Sequence, residues 1–305
     1  MNASATPARP HDEFRRGMVF GVAAYGLWGI LPIYFKAIAA VAAVDIVAHR
    51  ILWSLPFLAL LLFVSRGWSE VAQAVRRRRT LILLLVTSAL IATNWLLYVY
   101  AVTSGHILAG SLGYYLNPLV NVLLGRFILK ERLSWLQWSA IAIAAAGILA
   151  LIGGALEQLW ISLTLAATFA TYGLLRKIAL VDAVAGLAIE TALLVPLAIA
   201  WLAWRLVTGE PSFGATDSET ALLLLAGVVS TIPLLLFTAA ARRLPYSTLG
   251  MLQFLAPTLQ FLLAVWLYGE AFGRAHAIAF GAIWTALALY VFEIIRKPRP
   301  PQLPE

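Results

Sequence analysis

Apolar residues run along most of this chain in blocks of about twenty, separated by short polar or basic stretches. An α-helix rising 1.5 Å per residue needs about twenty residues to cross roughly 30 Å of hydrocarbon. The pattern predicts ten such helices, at about 17–36, 43–64, 80–103, 107–128, 134–152, 158–176, 184–205, 220–240, 246–268 and 274–295. Core helices of a soluble protein would be shorter and would carry polar faces. The expected fold class is therefore an all-α membrane protein with ten transmembrane helices. Polar ends at 1–16 and 296–305 are expected to be disordered tails.

The blocks are also related to one another. Tyr114-Tyr115-Leu116-Asn117-Pro118-Leu119 is followed thirteen residues after its proline by Glu131, and Gln253-Phe254-Leu255-Ala256-Pro257-Thr258 reaches Glu270 after the same interval. At that one offset of 139, Leu97 meets Leu236 and Ala101 meets Ala240. Tyr25-Gly26-Leu27 recurs as Tyr172-Gly173-Leu174 at offset 147, and Pro56 and Pro196 form a further candidate pair. The chain thus divides into a first repeat at 17–152 and a second at 158–295. Five helices is an odd number, so the second repeat must sit inverted relative to the first. Inverted repeats recur in secondary transporters, where two pseudo-symmetric halves pack in two equivalent ways.

Composition and charge fit this picture. The chain is 62% hydrophobic and 12% charged, against about 25% charged in soluble domains. Of its 22 Lys and Arg, 18 fall on one side of the predicted helices. That asymmetry places this side and both termini in the cytoplasm. The net charge of +8 is then mainly a topology signal. Arg76 to Arg79 is read as a cytoplasmic loop cluster touching membrane lipids rather than nucleic acid. The polar start followed by an apolar block imitates a secretory signal, with Ala37-Ile38-Ala39 as cleavage site. Nine further helices need the first for pairing, so an uncleaved first helix is expected. With no cysteine, no disulfide, zinc-thiolate site or cysteine nucleophile is available. His11, His49, His106 and His276 are too scattered for a metal site. No Gly-rich phosphate loop is present, so no nucleotide or other cofactor is expected.

Polar groups inside the apolar blocks carry the candidate chemistry. A mid-membrane charge costs at least about 2.5–3.5 kcal/mol, so each needs a reason. Asp45, His49 and Trp53 share a helix face by four-residue spacing, with Arg50 about 100° away. Arg50 and His49 are candidates for coupling to an ion, the alternative being a structural Asp45–Arg50 pair. Glu190 lies two turns inside its helix between Ile189 and Thr191. Unpaired there, it would favour its protonated form, because burial penalises charge, and so could load and release a proton. The alternative is a salt bridge to the Arg176 or Lys177 region.

Pro118 and Pro257 are expected to break their helices, freeing the carbonyls of Tyr114 and Gln253. Tyr114, Asn117 and Asn121 share a face, as do Gln253 and Gln260. With Asn94, Trp95 and Tyr98 they suggest an aromatic-walled pocket for a zwitterion or neutral organic molecule. The plainer reading is hydrogen bonding between helices. Gly110 and Gly113, and Gly26 and Gly29, are expected to allow close helix contact.

These residues resemble the RarD-type permeases, EamA-domain members of the drug/metabolite transporter superfamily. The likeness spans about residues 17–295. It rests on His49-Arg50 with Trp53-Ser54, Asn94-Trp95-Leu96-Leu97, Ser111-Leu112-Gly113-Tyr114, Asn117-Pro118-Leu119-Val120-Asn121 and Glu131-Arg132. In the second half it rests on Tyr172-Gly173-Leu174, Arg176-Lys177, Ile189-Glu190-Thr191, Ser247-Thr248-Leu249-Gly250, Gln253, Pro257-Thr258-Leu259 and Tyr268-Gly269-Glu270. The resemblance implies ten helices in two inverted halves, an inner-membrane location and export or exchange of small molecules. Asp45 stands where the family usually has Glu, and Ala109 where many members have Glu, so another member's substrate does not transfer directly.

The expected function is a secondary transporter of a small organic metabolite or drug, working by alternating access and not an enzyme. Asn94, Trp95, Tyr98, Tyr114, Asn117 and Gln253 are expected to bind substrate. Glu190, His49 and Arg50 are expected to couple ions, with protons the first candidate. Glu131 and Glu270 are expected to brace loops. Two rival readings are an intramembrane enzyme or lipid-handling protein using Glu190 and His49, and a non-transporting assembly factor. Monomer and homodimer are equally open.

Overall fold

A computed structural model describes residues 10–103, 107–152, 159–209, 213–269 and 274–296. All regular structure among them is helical: α1 (Pro10–Ala37), α2 (Ala43–Ser65), α3 (Trp68–Arg76), α4 (Arg78–Thr103), α5 (Ile107–Phe127), α6 (Trp135–Ile152), α7 (Leu159–Ile178), α8 (Ala183–Val207), α9 (Asp217–Ala241), α10 (Tyr246–Gln253), α11 (Leu255–Leu262) continuing into a π-helical turn (Leu263–Leu267), and α12 (Arg274–Arg296). Eight helical segments are long and apolar enough to cross a membrane. Polarity is arranged inside out. Trp135, Leu180, Val207 and Trp266 are exposed on the outer surface, while Asp45, His49, Asn94, Asn117, Arg176, Glu190 and Gln253 are buried. Such an arrangement suits a multi-pass protein whose outer solvent is lipid.

The helices pack in a pattern that treats the first and last five long segments alike. In the interior, α2 lies against α8, α5 against α10, and α6 against α12. Then α1 runs along α9 and the α10–α11 segment, as α7 runs along α4 and α5. Two close approaches show how tightly these crossings fit. A methyl on Gly227 would lie 2.3 Å from the carbonyl oxygen of Trp53, so α9 meets α2 backbone to backbone. A methyl on Gly250 would lie 2.8 Å from the carbonyl oxygen of Pro118, so α10 rests directly on α5. Gly29 and Gly113 likewise admit Leu259 and Leu165, whereas Gly26 has nothing within 4 Å and makes no close contact. The surroundings of Gly110 lie outside what the structure describes.

Three expectations change. The basic run is not a loop: Arg76 ends the short helix α3, and Arg78 and Arg79 open α4. Alternation of apolar and polar residues over Trp68–Arg76 was too brief to register as a span, yet it suffices for a surface helix packed on α4 and α8. Second, α1 begins at Pro10, ahead of the expected tail boundary, and Glu13 within it pairs with Arg243 at 2.9 Å. Third, the two prolines behave differently. α5 continues through Pro118, because one missing hydrogen bond bends a helix without necessarily ending it. Before Pro257 the chain does turn, at Phe254, which separates α10 from α11.

Candidate functional site

The second helix of each five-helix set contributes the ionisable groups. In α8, Asp182 caps the helix by accepting from the Val184 amide at 3.2 Å, which fixes where the helix starts and so the face Glu190 occupies. Glu190 is buried. Thr87 of α4 donates its hydroxyl to one carboxylate oxygen, and Tyr172 of α7 donates to the other at 3.3 Å. Arg176 of α7 stands 3.7 Å away and is itself fully buried. Its guanidinium also donates to the carbonyl of Ala183 at 3.2 Å, and Gly186 leaves it room: a methyl there would lie 2.0 Å from Nη1. Of the two sequence readings of Glu190, the structure realises the ion pair. Arg176 counts as a topology charge in the sequence, but here it is an interior residue.

In α2 the Asp45–Arg50 pair weighed as an alternative does not form. Asp45 instead accepts from Arg205 at 2.8 Å and from the Trp201 indole at 2.8 Å, both on α8. Five residues of helix turn Arg50 away from Asp45, and α8 brings a better-placed cation. Trp53 donates to His49 Nδ1 at 3.2 Å, so the shared face of those two residues is real, and the His49 ring lies against Phe213. Arg50 lies with its guanidinium 4.0 Å over the Trp95 ring. The Tyr34 and Tyr114 hydroxyls are within electrostatic range of it. The Trp95 contact offsets about 0.5–2 kcal/mol, less than the roughly 2.5–3.5 kcal/mol that a cation costs in the membrane interior.

Arg50, Trp95 and Glu190 line one cavity, completed by Ser54, Thr191 and Thr231. It sits where α2, α4, α8 and α9 meet, two helices from each set of five. Its volume is about 20 Å³, enough for a water-sized body. Sites for drug-sized ligands run to roughly 300–1,000 Å³, so the cavity in this conformation is too small for such a ligand.

The six residues expected to bind substrate fall into separate groups. Trp95 lines the cavity, and the Tyr98 and Tyr114 rings meet edge to face at 5.4 Å. Asn94 is turned to α7, donating to Leu165 O at 2.9 Å and Thr168 at 3.0 Å, which is the interhelical role weighed for it. Gln253 accepts from Asn121 at 2.7 Å across the α5–α10 crossing. Asn117, one turn earlier on α5, is fully buried with neither amide atom partnered among the described residues. Glu131 accepts from the amides of Tyr246 and Ser247 and from the Ser247 hydroxyl, the last at 2.6 Å. A carboxylate at the N-terminus of α10 satisfies free amides and the positive end of the helix dipole. Glu270 and His106 lie outside the described residues. Among the described residues no group of three His, Asp or Glu is placed to hold a metal.

Sequence reasoning missed Thr87, Tyr172 and Arg205 as partners of the buried acids. The last left a faint signal: Arg205 is one of four basic residues off the strongly basic side.

The sequence pattern of the EamA-like transporter family matches residues 15–153. A Vibrio cholerae protein named an uncharacterized transporter is 46% identical, over 92% of this chain and 93% of its own. Protein RarD of Escherichia coli K12 is 43% identical, over 94% and 97%. A Pseudomonas aeruginosa protein named chloramphenicol-sensitive protein RarD is 34% identical, over 90% and 93%. A crystal structure with 22% identity superposes with a TM-score of 0.72 over 92% of this chain and 98% of that one, a likeness of fold.

Proposed function

The chain belongs to the EamA-like transporter family as a RarD-type member, and we propose on that premise that it moves a small organic metabolite or drug across the bacterial inner membrane by alternating access. The two sets of five helices are read as inverted repeats, 17–152 and 158–295, with both termini cytoplasmic. The observation that carries the reading is the small cavity at the meeting of α2, α4, α8 and α9. A site shared equally between two like-packed halves opens to one side or the other when the halves rock.

In this reading Trp95, Tyr98 and Tyr114 form the aromatic wall, and Asn117 and Gln253 supply amide groups where α5 crosses α10. Asn117 holds hydrogen-bond capacity that a polar substrate group fills. Asn94 holds α4 against α7 behind that wall. Ion coupling falls to Glu190, with His49 and Arg50 as the ionisable pair on α2. Protonation of Glu190 would weaken its hold on Arg176 and loosen α8 from α7, linking proton loading to helix movement. Glu131 ties the end of the first half to α10 of the second.

Flux into proteoliposomes tests this. Amino acids, nucleosides and amphenicol-like compounds are screened with and without a proton gradient. At least one is expected to move, faster with the gradient. Glu190→Gln is expected to keep facilitated flux and lose the gradient's effect. A gradient response unchanged in that variant removes Glu190 from the mechanism, and no flux from any class removes the transporter reading.

A further inference from the structure

Pairing the charges on the helices that meet at the central cavity leaves Arg50 over among the described residues. Asp45 has Arg205 at 2.8 Å and Glu190 has Arg176 at 3.7 Å. Each of these acids therefore has its own arginine, and each pair is neutral as a unit. Arg50 has no carboxylate at ion-pair distance among the described residues, and its buried Nε has no hydrogen-bond partner. It nevertheless lines the central cavity, with Trp95 under its guanidinium and Ile51, Ile91 and Leu234 among the apolar walls. With Glu190 ionised and paired to Arg176, the charge left over at that cavity is that of Arg50.

We propose that Arg50 anchors the carboxylate of a singly charged organic anion whose apolar or aromatic body lies against Trp95. The proposal rests on the transporter reading above and names its substrate class. A guanidinium presents donors in a planar fork that matches a carboxylate two bonds at a time. With its Cζ 4.0 Å over the Trp95 ring, the guanidinium is held at the cavity wall before the anion arrives. Charge decides between anions. One guanidinium balances one negative charge, whereas a dianionic phosphate would leave an uncompensated charge in a poorly solvated site. A neutral amide would leave the arginine as it is now, with an unbalanced positive charge.

The test uses the purified full-length protein in lipid nanodiscs, with benzoate and phenylacetate set against benzamide, phenylacetamide and inorganic phosphate. Binding is read by calorimetry and by the shift in melting temperature. The carboxylates are expected to bind and stabilise, and the amides and phosphate to bind far more weakly. Arg50→Gln is expected to weaken carboxylate binding at least about tenfold, the value of a charge-assisted hydrogen bond, and to leave the amides unchanged. Should that variant fail to fold, Arg50→Lys keeps the charge and loses the fork, and its carboxylate-to-amide preference is expected to drop severalfold. Equal binding of acid and amide, phosphate binding as tightly as benzoate, a preference unchanged in the folded variant, or no carboxylate binding at millimolar concentration each overturns the proposal. Liposome flux separates it from the reading beneath it. Transport of the amides without carboxylate binding leaves a transporter and removes the anion site; carboxylate binding without flux of any probe keeps the site and removes transport.

Discussion

Arg50 and Glu190 occupy like places in α2 and α8. Each is the eighth residue of its helix, α2 or α8, and each precedes a proline, Pro56 or Pro196, by six residues. The two helices pack on each other, and both residues line the central cavity. Their surroundings differ. Glu190 is enclosed by a hydroxyl from α4, a phenol from α7 and the guanidinium of Arg176. Arg50 has an indole face and an unpartnered Nε. Two like-placed positions thus carry opposite chemistry, one a satisfied acid and the other an unsatisfied base. The first is organised to hold a charge in place, and the second to receive one.

Removing the partner of the satisfied site should break the comparison hardest. Arg176→Ala leaves Glu190 buried without a counter-charge, and a cost of about 3–5 kcal/mol is expected in denaturant titration of the detergent-solubilised protein. A loss below about 1 kcal/mol would mean that Thr87 and Tyr172 alone suffice for Glu190. Gly186→Ala asks a finer question, since its methyl would enter the space of the Arg176 guanidinium. Overpacking of this kind costs about 1–3 kcal/mol. It should also alter the gradient response of transport if the Arg176–Glu190 geometry carries coupling. The smallest effect is expected at the unsatisfied site. Arg50→Gln strands no acid and forfeits mainly the Trp95 contact, so stability should change by about 1 kcal/mol or less. A loss as large as that of Arg176→Ala would show that Arg50 is a structural cation after all.

Legibility followed the range of the interactions. Glu131 was readable as a brace, because it stands at the end of an apolar block between the basic residues Lys130 and Arg132. That it caps α10, by accepting from Ser247 across more than a hundred residues of chain, was not readable. His49 and Trp53 met as their four-residue spacing required, since one helix turn is a local property. The alternative pairing of Asp45 with Arg50 failed for the complementary reason. Its partner comes from α8, and no periodicity within α2 points to it. Asn94, Asn117 and Gln253 looked alike as polar residues in apolar helices. Only their neighbours distinguish a bridge to α7, an unpartnered amide and a bond across α5 and α10.

By itself, the sequence determined that this is a helical membrane protein, and it shows residues that recur at one offset. Transfer of an apolar run from water to hydrocarbon depends on the run alone, and a repeat is visible wherever residues recur at one offset. The tertiary structure decided which arginine neutralises which acid, and therefore which charge is left facing the cavity. Ion pairs between helices form over a few ångströms set by packing, and the residues that form them stand as far as 160 positions apart in the chain.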